Sequence, residues 1–177
     1  MMKNILTEWR KYVNEELTDV VVPEEQKHPR FPGFDINKVD FKIKFGKLRD
    51  LLADDKKIKK LRVPSWSLQT DAYLNPGEND IAAVAYDGDQ PVAIAAITQD
   101  KYSPYGLINV YVDSWYRGLD LASKVIDKAL ENSGHWKKLV ASRVPVKMLK
   151  KRGYETTNSY CNYVDCEVFR NKNYQKI

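Results

Sequence analysis

Residues 110–122 read VYVDSWYRGLDLA, and this stretch decides the fold prediction. An apolar strand ends near Val112, a short turn follows, and Arg117 and Gly118 lead into a helix. The first N–H groups of a helix have no partner within it, and the helix dipole adds positive potential there. The stretch therefore predicts a phosphate-binding turn, in which the glycine lets a ligand come close to the backbone.

Hydropathy patterns along the rest of the chain predict further strands and helices. Apolar residues recur at every second position in half-buried strands and at every third or fourth position in amphipathic helices. The Asp87–Gly88 turn between two apolar runs predicts an antiparallel hairpin. The predicted strands cover residues 39–45, 81–86, 92–98, 107–112 and 139–141, with closing strands after Tyr154. The predicted helices cover residues 3–18, 48–61, 68–74, 118–132 and 146–149, with Gly134 and Gly153 at helix ends.

This order of elements predicts an α+β fold with a mixed sheet. A strand–helix–strand crossover over residues 107–141 lies next to antiparallel strands. The 177 residues correspond to one domain with some chain to spare. Residues 23–32 contain three prolines and are predicted to be a linker. The chain is therefore divided into a helical arm, residues 1–35, and a domain, residues 36–177.

The composition excludes several classes of protein. Apolar residues make up 43% and charged residues 30% of the chain, which is ordinary for a globular protein and excludes wholesale disorder. No apolar run reaches the ~18 residues that span a bilayer, and the N-terminus lacks the apolar core of a signal peptide. The cysteines, Cys161 and Cys166, have no CxxC spacing, so neither a zinc site nor a disulfide framework is expected. A reduced, cytoplasmic setting is predicted.

The net charge of +5 is unevenly distributed. Residues 1–35 contain five basic and seven acidic side chains, whereas residues 137–152 contain seven basic side chains and no acidic one. A second basic cluster lies within residues 56–62. These clusters predict an anionic partner, either a phosphate-bearing cofactor or nucleic acid. Nucleic acid is disfavoured because no known binding module is present, and Lys-rich helices are also typical of solvated surfaces.

Several of these features together resemble the GNAT superfamily, the acetyl-coenzyme A-dependent N-acetyltransferases. That family's loop reads Arg/Gln-x-x-Gly-x-Gly/Ala, and here Arg117 matches its first position and Ala122 its last. Gly153–Tyr154 takes the place of the Gly-Phe pair that ends the family's short helix. The resemblance covers about residues 38–170. It implies a GNAT-like mixed, mostly antiparallel sheet flanked by helices, to which this chain adds an N-terminal amphipathic helix.

The resemblance also implies a binding site for acetyl-coenzyme A as cosubstrate. The backbone of residues 110–112 would pair with the pantetheine arm where two parallel strands splay apart, and the following loop would hold the pyrophosphate. The basic surface at residues 147–152 would help to bind the 3′-phosphate. The residues implied in binding are Val110, Tyr111, Val112, Arg117, Gly118, Leu119, Asp120, Leu121, Ala122, Ser123 and, at or next to an asparagine position of the family, Ser142.

The chain departs from the family's pattern in three respects. Asp120 stands where the family has glycine, and a carboxylate ~4 Å from a phosphate charge is unfavourable by about 1 kcal/mol even in water. Leu149 replaces the tyrosine general acid, and Lys137 and Lys138 replace a glutamate base. The catalytic residues therefore stay undetermined, and the candidates, all of which also fit structural roles, are Asn109, Tyr111, Asp113 and Tyr160.

The leading functional prediction is an N-acetyltransferase, in which an amine attacks the thioester of acetyl-coenzyme A directly. The alternative is a non-catalytic GNAT-like binding or assembly module that still binds coenzyme A. Three roles are open for residues 3–18: packing on the domain, dimerisation, or contact with a partner. The amine substrate, a small molecule or a peptide, cannot be identified from the sequence, although the lysines of residues 55–62 favour an acidic or phosphorylated one.

Overall fold

The structure is a computed structural model that describes residues 40–61 and 73–175. The predicted helix 3–18, the proline-containing linker and most of the predicted helix 68–74 lie outside the described residues. None of the helices in the described ranges is long and apolar enough to cross a membrane.

A six-stranded sheet organises the described domain. Its strands follow one another in chain order, and all neighbours are antiparallel except the fourth and fifth, which are parallel. This confirms the predicted mixed, mostly antiparallel sheet of an α+β fold. The strands are β1 (Lys42–Lys47), β2 (Ile81–Asp87), β3 (Gln90–Gln99), β4 (Gly106–Val112), β5 (Lys138–Ser142) and β6 (Cys166–Arg170).

The predicted hairpin joins the neighbouring strands β2 and β3. Gly88 and Asp89 form the turn, and Gly88 has a φ of 58°, which glycine adopts without steric cost. Residues 82–86 and 91–98 are buried on both faces of the sheet. Strands buried on both sides are continuous apolar runs in sequence, and this is why the hairpin was recognisable from hydropathy alone.

Three α-helices that lie wholly within the described residues flank the sheet. They are α1 (Leu48–Asp54), α2 (Leu121–Glu131) and α3 (Val144–Lys151), and two short 3-10 helices cover Lys56–Lys60 and Ser114–Tyr116. The single helix predicted over 48–61 is therefore wrong. The backbone becomes extended at Asp55, whose carboxylate accepts the Lys57 N–H at 2.8 Å and starts the 3-10 helix. Ile58 is still buried, so the apolar spacing continues across the break.

The helices cover opposite faces of the sheet. On one face, here called the α1 face, Leu48 and Leu52 pack with Val84 and Ile94 in a buried cluster. On the other, α2 packs over β2, β3 and β4 and buries the row of apolar side chains along its inner side. Since side chains alternate along a strand, each residue of β4 can be assigned to one face.

The two predicted helix ends turned out differently. α3 ends as predicted at Gly153, which has a φ of 70° and donates its N–H to the Lys150 carbonyl at 2.9 Å. α2 ends at Glu131 with Asn132 as its cap, so the placement of Gly134 at this end is wrong. Gly134 instead lies under the C-terminal segment, where a Cβ would come within 3.2 Å of the Asn173 carbonyl.

Candidate active site

The parallel strands β4 and β5 pair only at their first residues. Gly106 pairs with Leu139 and Leu107 with Val140, and no further residues of the two strands pair. β4 nevertheless continues to Val112 and β5 to Ser142. We call the gap between the diverging strands the open V, and the Leu107–Val140 pair its vertex. The open V matches the splay that the family resemblance implies.

The backbone of β4 presents alternate residues to the open V. The Asp113 N–H donates to the carbonyl of Val92 in β3 at 2.8 Å. Backbone groups of successive strand residues point in opposite directions, so Tyr111 also directs its backbone towards β3. Val110 and Val112 direct theirs away from β3, into the V. Of the three β4 residues expected to pair with pantetheine, these two have the required orientation.

The same alternation applies to β5. The Arg143 N–H donates to the Asp165 carbonyl beside β6 at 3.0 Å, so the backbone of the preceding Ser142 points into the open V. Arg143 has a φ of 57° and a ψ of −117°, a conformation that residues other than glycine rarely adopt. The chain thereby turns sharply into α3 at the open end of the V. Ser142 therefore lies at the edge of the open V.

A left-handed turn leads from β4 into α2. Gly118 has a φ of 82°, and a Cβ built on it meets no atom within 4 Å, so the space beside this glycine is open. Asp120 has a φ of 55° and an exposed side chain. Aspartate adopts this conformation more readily than most residues. The departure at position 120 therefore keeps the backbone shape that a glycine would supply.

The start of α2 presents N–H groups to this open space. The side chain of Asp120 makes no capping hydrogen bond, and the first helical bond runs from the Lys124 N–H to the Asp120 carbonyl at 3.1 Å. The N–H groups of Leu121, Ala122 and Ser123 precede that bond and have no partner within the helix. They lie at the positive end of an 11-residue helix dipole, where an anion is stabilised.

Tyr116 anchors the loop before this turn to the β2–β3 hairpin. Its hydroxyl donates to Asp87 at 2.8 Å, and its buried ring packs edge-on against Phe41. Burial, followed by the bond to Asp87, raises the pKa of Tyr116 above its ordinary value. The phenol therefore stays protonated and available as the donor that holds the loop.

Three of the four predicted catalytic candidates lie in surroundings that are typical of structural or surface residues. Asp113 accepts the Trp115 N–H at 3.1 Å and caps the short helix 114–116. Tyr111 packs against the buried cluster of the α1 face. Tyr160 is 82% exposed. These surroundings fit structural or surface positions for all three residues.

Asn109 differs from the other candidates. It lies on β4 two residues beyond Leu107, and therefore on the α1 face close to the vertex. Its amide nitrogen is buried and has no hydrogen-bond partner among the described residues. An unsatisfied buried donor costs about 1–3 kcal/mol, so this amide is suited to an acceptor oxygen supplied by a ligand.

Other residues stand at the positions of the family's general acid and general base. Leu149, at the acid position, is fully buried in the core. At the base position, Lys137 is exposed and Lys138 is half-buried. The Lys138 ammonium donates to the Ser159 hydroxyl at 2.7 Å and to the Tyr105 hydroxyl at 3.5 Å. Lysines thus occupy the family's base position, and the ammonium of Lys138 lies within hydrogen-bond distance of the Tyr105 hydroxyl.

Tyr105, Lys138 and Ser159, which we call the vertex cluster, were not identified from the sequence. Tyr105 packs against the buried Leu107 and Val140 of the vertex, and the Lys138 ammonium lies 5.1 Å from the centroid of its ring. Hydrogen bonds with Ser159 and then Lys138, together with the lysine charge, lower the pKa of Tyr105. The three residues come from separate segments, so no local motif marks them.

A second tyrosine near the vertex has the opposite shift. Tyr163 packs against the same apolar residues as Tyr105 and donates its hydroxyl to the buried Asp100. Burial and then the bond to Asp100 raise the pKa of Tyr163. Asp100 also accepts the Ser103 hydroxyl. Tyr163 is therefore a protonated donor that fixes the loop before β6.

The expectation that the cysteines form no disulfide is wrong, because a disulfide joins Cys161 to Cys166. The loop before β6 doubles back, which brings the two Cα atoms to 6.3 Å, a separation that a disulfide spans. Five positions separate the cysteines, and this spacing matches none of the motifs by which cysteine function is recognised.

Part of the predicted basic surface is engaged in ion pairs. Arg152 pairs with Asp127 of α2, with a second contact at 3.1 Å, and Lys150 pairs with Glu167. In the other basic cluster, Lys57 lies 3.3 Å from Asp89. These contacts tie α3 to α2 and β6, and the helix 56–60 to the hairpin. The positive surface near α3 is therefore smaller than the residue count implies.

Comparisons with known proteins agree with this geometry. Two solved structures have the same fold: an acyl-CoA N-acyltransferase from Pseudomonas aeruginosa (15% identity, 74% of this chain and 99% of that one, TM-score 0.54) and ElaA from Escherichia coli (14%, 73% and 98%, TM-score 0.51). No curated protein is significantly similar in sequence. Residues 45–154 match the family described as the acetyltransferase (GNAT) family. This match covers more than half of the sequence, and the chain therefore belongs to the GNAT family.

Proposed function

We propose that this chain is an N-acetyltransferase, which transfers the acetyl group of acetyl-coenzyme A to an amine. Membership of the GNAT family supports acyl transfer to amines in general. The open V is the observation that carries the proposal. The backbone groups of Val110, Val112 and Ser142 face a gap that no described strand fills, and backbone groups in a sheet require partners. The amides of an extended pantetheine arm provide such partners, as an added strand would.

The phosphate groups are proposed to lie at the open end of the V. Leu121, Ala122 and Ser123 direct N–H groups there, and the open space beside Gly118 admits a ligand. Arg117 and Lys124 supply positive charge near this end. Leu119 and Asp120 belong to the turn that joins Arg117 to α2. This arrangement leaves the thioester end of the ligand directed towards the vertex.

The proposed reaction is direct attack on the thioester. The neutral amine nitrogen forms a bond to the carbonyl carbon, and the carbonyl oxygen gains negative charge. Asn109 donates its amide N–H to that oxygen, which gives the buried amide a partner. The carbon–sulfur bond then breaks, coenzyme A leaves as a thiolate, and the surplus proton of the nitrogen is removed.

The alternative function, a non-catalytic module that binds coenzyme A, is favoured by one observation. Leu149 is fully buried at the family's general-acid position, so no polar side chain replaces the tyrosine there. Under this alternative, the protein binds acetyl-coenzyme A but releases no thiol from it. The two functions are therefore separated by measuring binding and turnover on the same preparation.

Calorimetric titration with acetyl-coenzyme A tests the binding step. Ala122→Glu places a carboxylate in the first turn of α2 and is expected to weaken binding by about tenfold or more through repulsion of the phosphates. Ala53→Glu is the matched control, since it makes the same change at an exposed position of α1. If the wild-type protein shows neither heat nor a thermal shift at millimolar ligand, the proposal is wrong.

Thiol release from acetyl-coenzyme A tests the chemical step. The assay uses a panel of amines: peptides with a free α-amino group, lysine peptides, acidic and phosphorylated peptides, polyamines and amino sugars. Release that depends on an amine supports the acetyltransferase. Tight binding without release across the whole panel supports the non-catalytic module instead.

The proposal also includes a cytoplasmic location and self-association through residues 3–18. The Cys161–Cys166 bond is unusual for a reducing compartment, so trapping free thiols in intact cells tests the location. Alkylation of both cysteines is expected, and protection of both contradicts a reducing setting. Self-association is tested by light scattering. Deletion of residues 1–35 should lower the number of chains per particle.

A further inference from the structure

Lys138 occupies the family's base position, but an ammonium group cannot accept a proton. Its side chain lies on the α1 face, like that of Val140 two residues along the same strand. There it donates hydrogen bonds to Ser159 and Tyr105. The lysine therefore stabilises negative charge on a neighbouring oxygen, and Tyr105 is the ionisable one.

The position of Tyr105 relative to the open V is set by the chain. Tyr105 directly precedes β4, and its ring packs against Leu107 and Val140, the two residues of the vertex. Asn109 lies two residues beyond Leu107, and four beyond Tyr105, on the same face of β4. If acetyl-coenzyme A binds as proposed above, its thioester end points towards this vertex. The Tyr105 hydroxyl is then on the side from which an amine can reach the carbonyl carbon.

The charged groups around Tyr105 favour its anion. Lys138 and Lys137 of the β5 segment both contribute to lowering its pKa, after the hydrogen bonds with Ser159 and Lys138. Arg170 of β6, opposite Lys138 in the register, lies 3.8 Å from Glu155. The carboxylate of Asp100, in the loop between β3 and β4, accepts hydrogen bonds from Tyr163 and Ser103. The tyrosine thus has cations on its β5 side, and the neighbouring carboxylates have their own partners.

We propose that Tyr105 is the catalytic base for the acceptor amine and that Lys138 and Ser159 position it and stabilise its phenolate. This inference rests on the acetyl transfer proposed above. The phenolate takes one proton from the acceptor ammonium, and the resulting neutral amine attacks the carbonyl carbon. The carbon–nitrogen bond forms, the carbon–sulfur bond breaks, and the second nitrogen proton is taken up by the leaving thiolate. Tyr105 then returns its proton to solvent.

A titration of the phenolate absorbance tests the charge state without any acceptor. Subtracting the curve of Tyr105→Phe from that of the wild-type protein isolates this residue. We expect it to titrate below the ordinary tyrosine range, to move upward in Lys138→Met and to stay low in Lys138→Arg, which keeps the charge. Tyr174→Phe removes a tyrosine outside the cluster and should leave the low titration in place. If the isolated curve lies in or above the ordinary range, the inference is overturned.

The pH profile of kcat/KM for thiol release, measured with the most active amine of the panel, tests the role in turnover. Tyr105→Phe should lower kcat by about a hundredfold or more, a typical effect of losing a general base, with acetyl-coenzyme A affinity unchanged by calorimetry. Lys138→Met should move the rising limb of the profile to higher pH, and Lys138→Arg should restore it. Thermal unfolding shows that each variant is folded.

The outcomes separate this inference from the function on which it rests. If the wild-type protein turns over and Tyr105→Phe keeps its rate and pH profile, the base assignment is wrong while the acetyltransferase stands. If the wild-type protein binds no acetyl-coenzyme A or turns over no amine, the proposed enzyme fails and this inference fails with it.

Discussion

The two ends of the open V are built in different ways. The open end consists of one continuous stretch, residues 110–123, whose shape depends on the left-handed backbone at Gly118 and Asp120 and on the Tyr116 anchor. The vertex is assembled from segments that are far apart in sequence, since Tyr105 and Lys138 meet only because β4 pairs with β5. One end is a local structure, and the other is a product of the tertiary fold.

This difference corresponds to a division of labour in the proposed function. In the proposal, the backbone N–H groups and the helix dipole of the open end bind the phosphates of the ligand and take no part in the chemical step. The vertex offers a buried amide, a lysine and a tyrosine with a lowered pKa. Changes at the open end should therefore alter affinity, and changes at the vertex should alter turnover. The following predictions test this division, in order of decreasing effect.

Asn109→Ala should lower kcat by about a hundredfold, or about 2.7 kcal/mol, as does the loss of one donor to a developing oxyanion. Acetyl-coenzyme A affinity should change far less, and the free energy of unfolding should not fall, because the unpartnered amide is removed. Steady-state thiol release measures kcat, calorimetry measures the affinity, and urea unfolding measures the stability. Asn132→Ala is the contrasting variant. The amide of Asn132 donates to the Lys128 carbonyl at 2.9 Å, so its loss should destabilise the protein. Equal losses of affinity and kcat in Asn109→Ala would contradict the division.

Gly106→Ala should destabilise the protein by about 2 kcal/mol through overpacking at the base of the V. A Cβ at this position would lie 2.7 Å from Trp136 and 2.8 Å from Ile97. Gly46→Ala in β1 is the matched control, because its Cβ meets only Leu51, at 3.6 Å. Urea unfolding of both variants measures the difference. Equal stability of the two would show that the vertex tolerates displacement of β4.

Tyr116→Phe should cost about 1 kcal/mol of stability, because it removes the hydrogen bond to Asp87. The loosened loop should weaken acetyl-coenzyme A binding a few-fold in calorimetry. Turnover at saturating ligand should stay at the wild-type value, because the vertex is untouched. A fall in saturated turnover with unchanged affinity would place the Tyr116 loop in the chemical step and remove the distinction between the two ends.

Tyr86 provides the effect that is smallest at neutral pH, in a region outside both ends of the V. Burial, followed by the nearby Asp55, raises the pKa of Tyr86 from 10.0 to about 12. A pKa raised by folding contributes stability that is complete below pH 10 and is lost as the pH rises towards about 12. Tyr86→Phe should therefore make the free energy of unfolding fall less steeply over this range. An unchanged slope would show that Tyr86 ionises equally well in the folded protein.

Much of the fold could be predicted because it depends on local patterns. The β2–β3 hairpin and α2 follow from apolar periodicity and a glycine turn, and both were found where predicted. The helix over 48–61 was wrong because the 3-10 turn after Asp55 preserves the apolar spacing of a continuous helix. Gly134 was misplaced because Asn132 already ends α2 and the glycine serves close packing.

The candidate site shows the same limit. Asn109 was among the candidates, but its distinction, a buried amide without a partner in the described residues, emerges only from packing. Lys138 was interpreted as the loss of a base, since a lysine in isolation gives no indication of the tyrosine beside it. The disulfide was missed because its two cysteines are brought together by a loop that no spacing rule describes.

By itself, the sequence determined most of the elements, the α+β class, the family and the turn that leads into α2. Each of these depends on residues that are neighbours along the chain, where backbone preference and apolar periodicity act directly. The tertiary structure alone decided where β4 and β5 separate, which backbone groups face the gap and which side chains meet at the vertex. Those features depend on strand register and packing, which bring residues together across long stretches of chain.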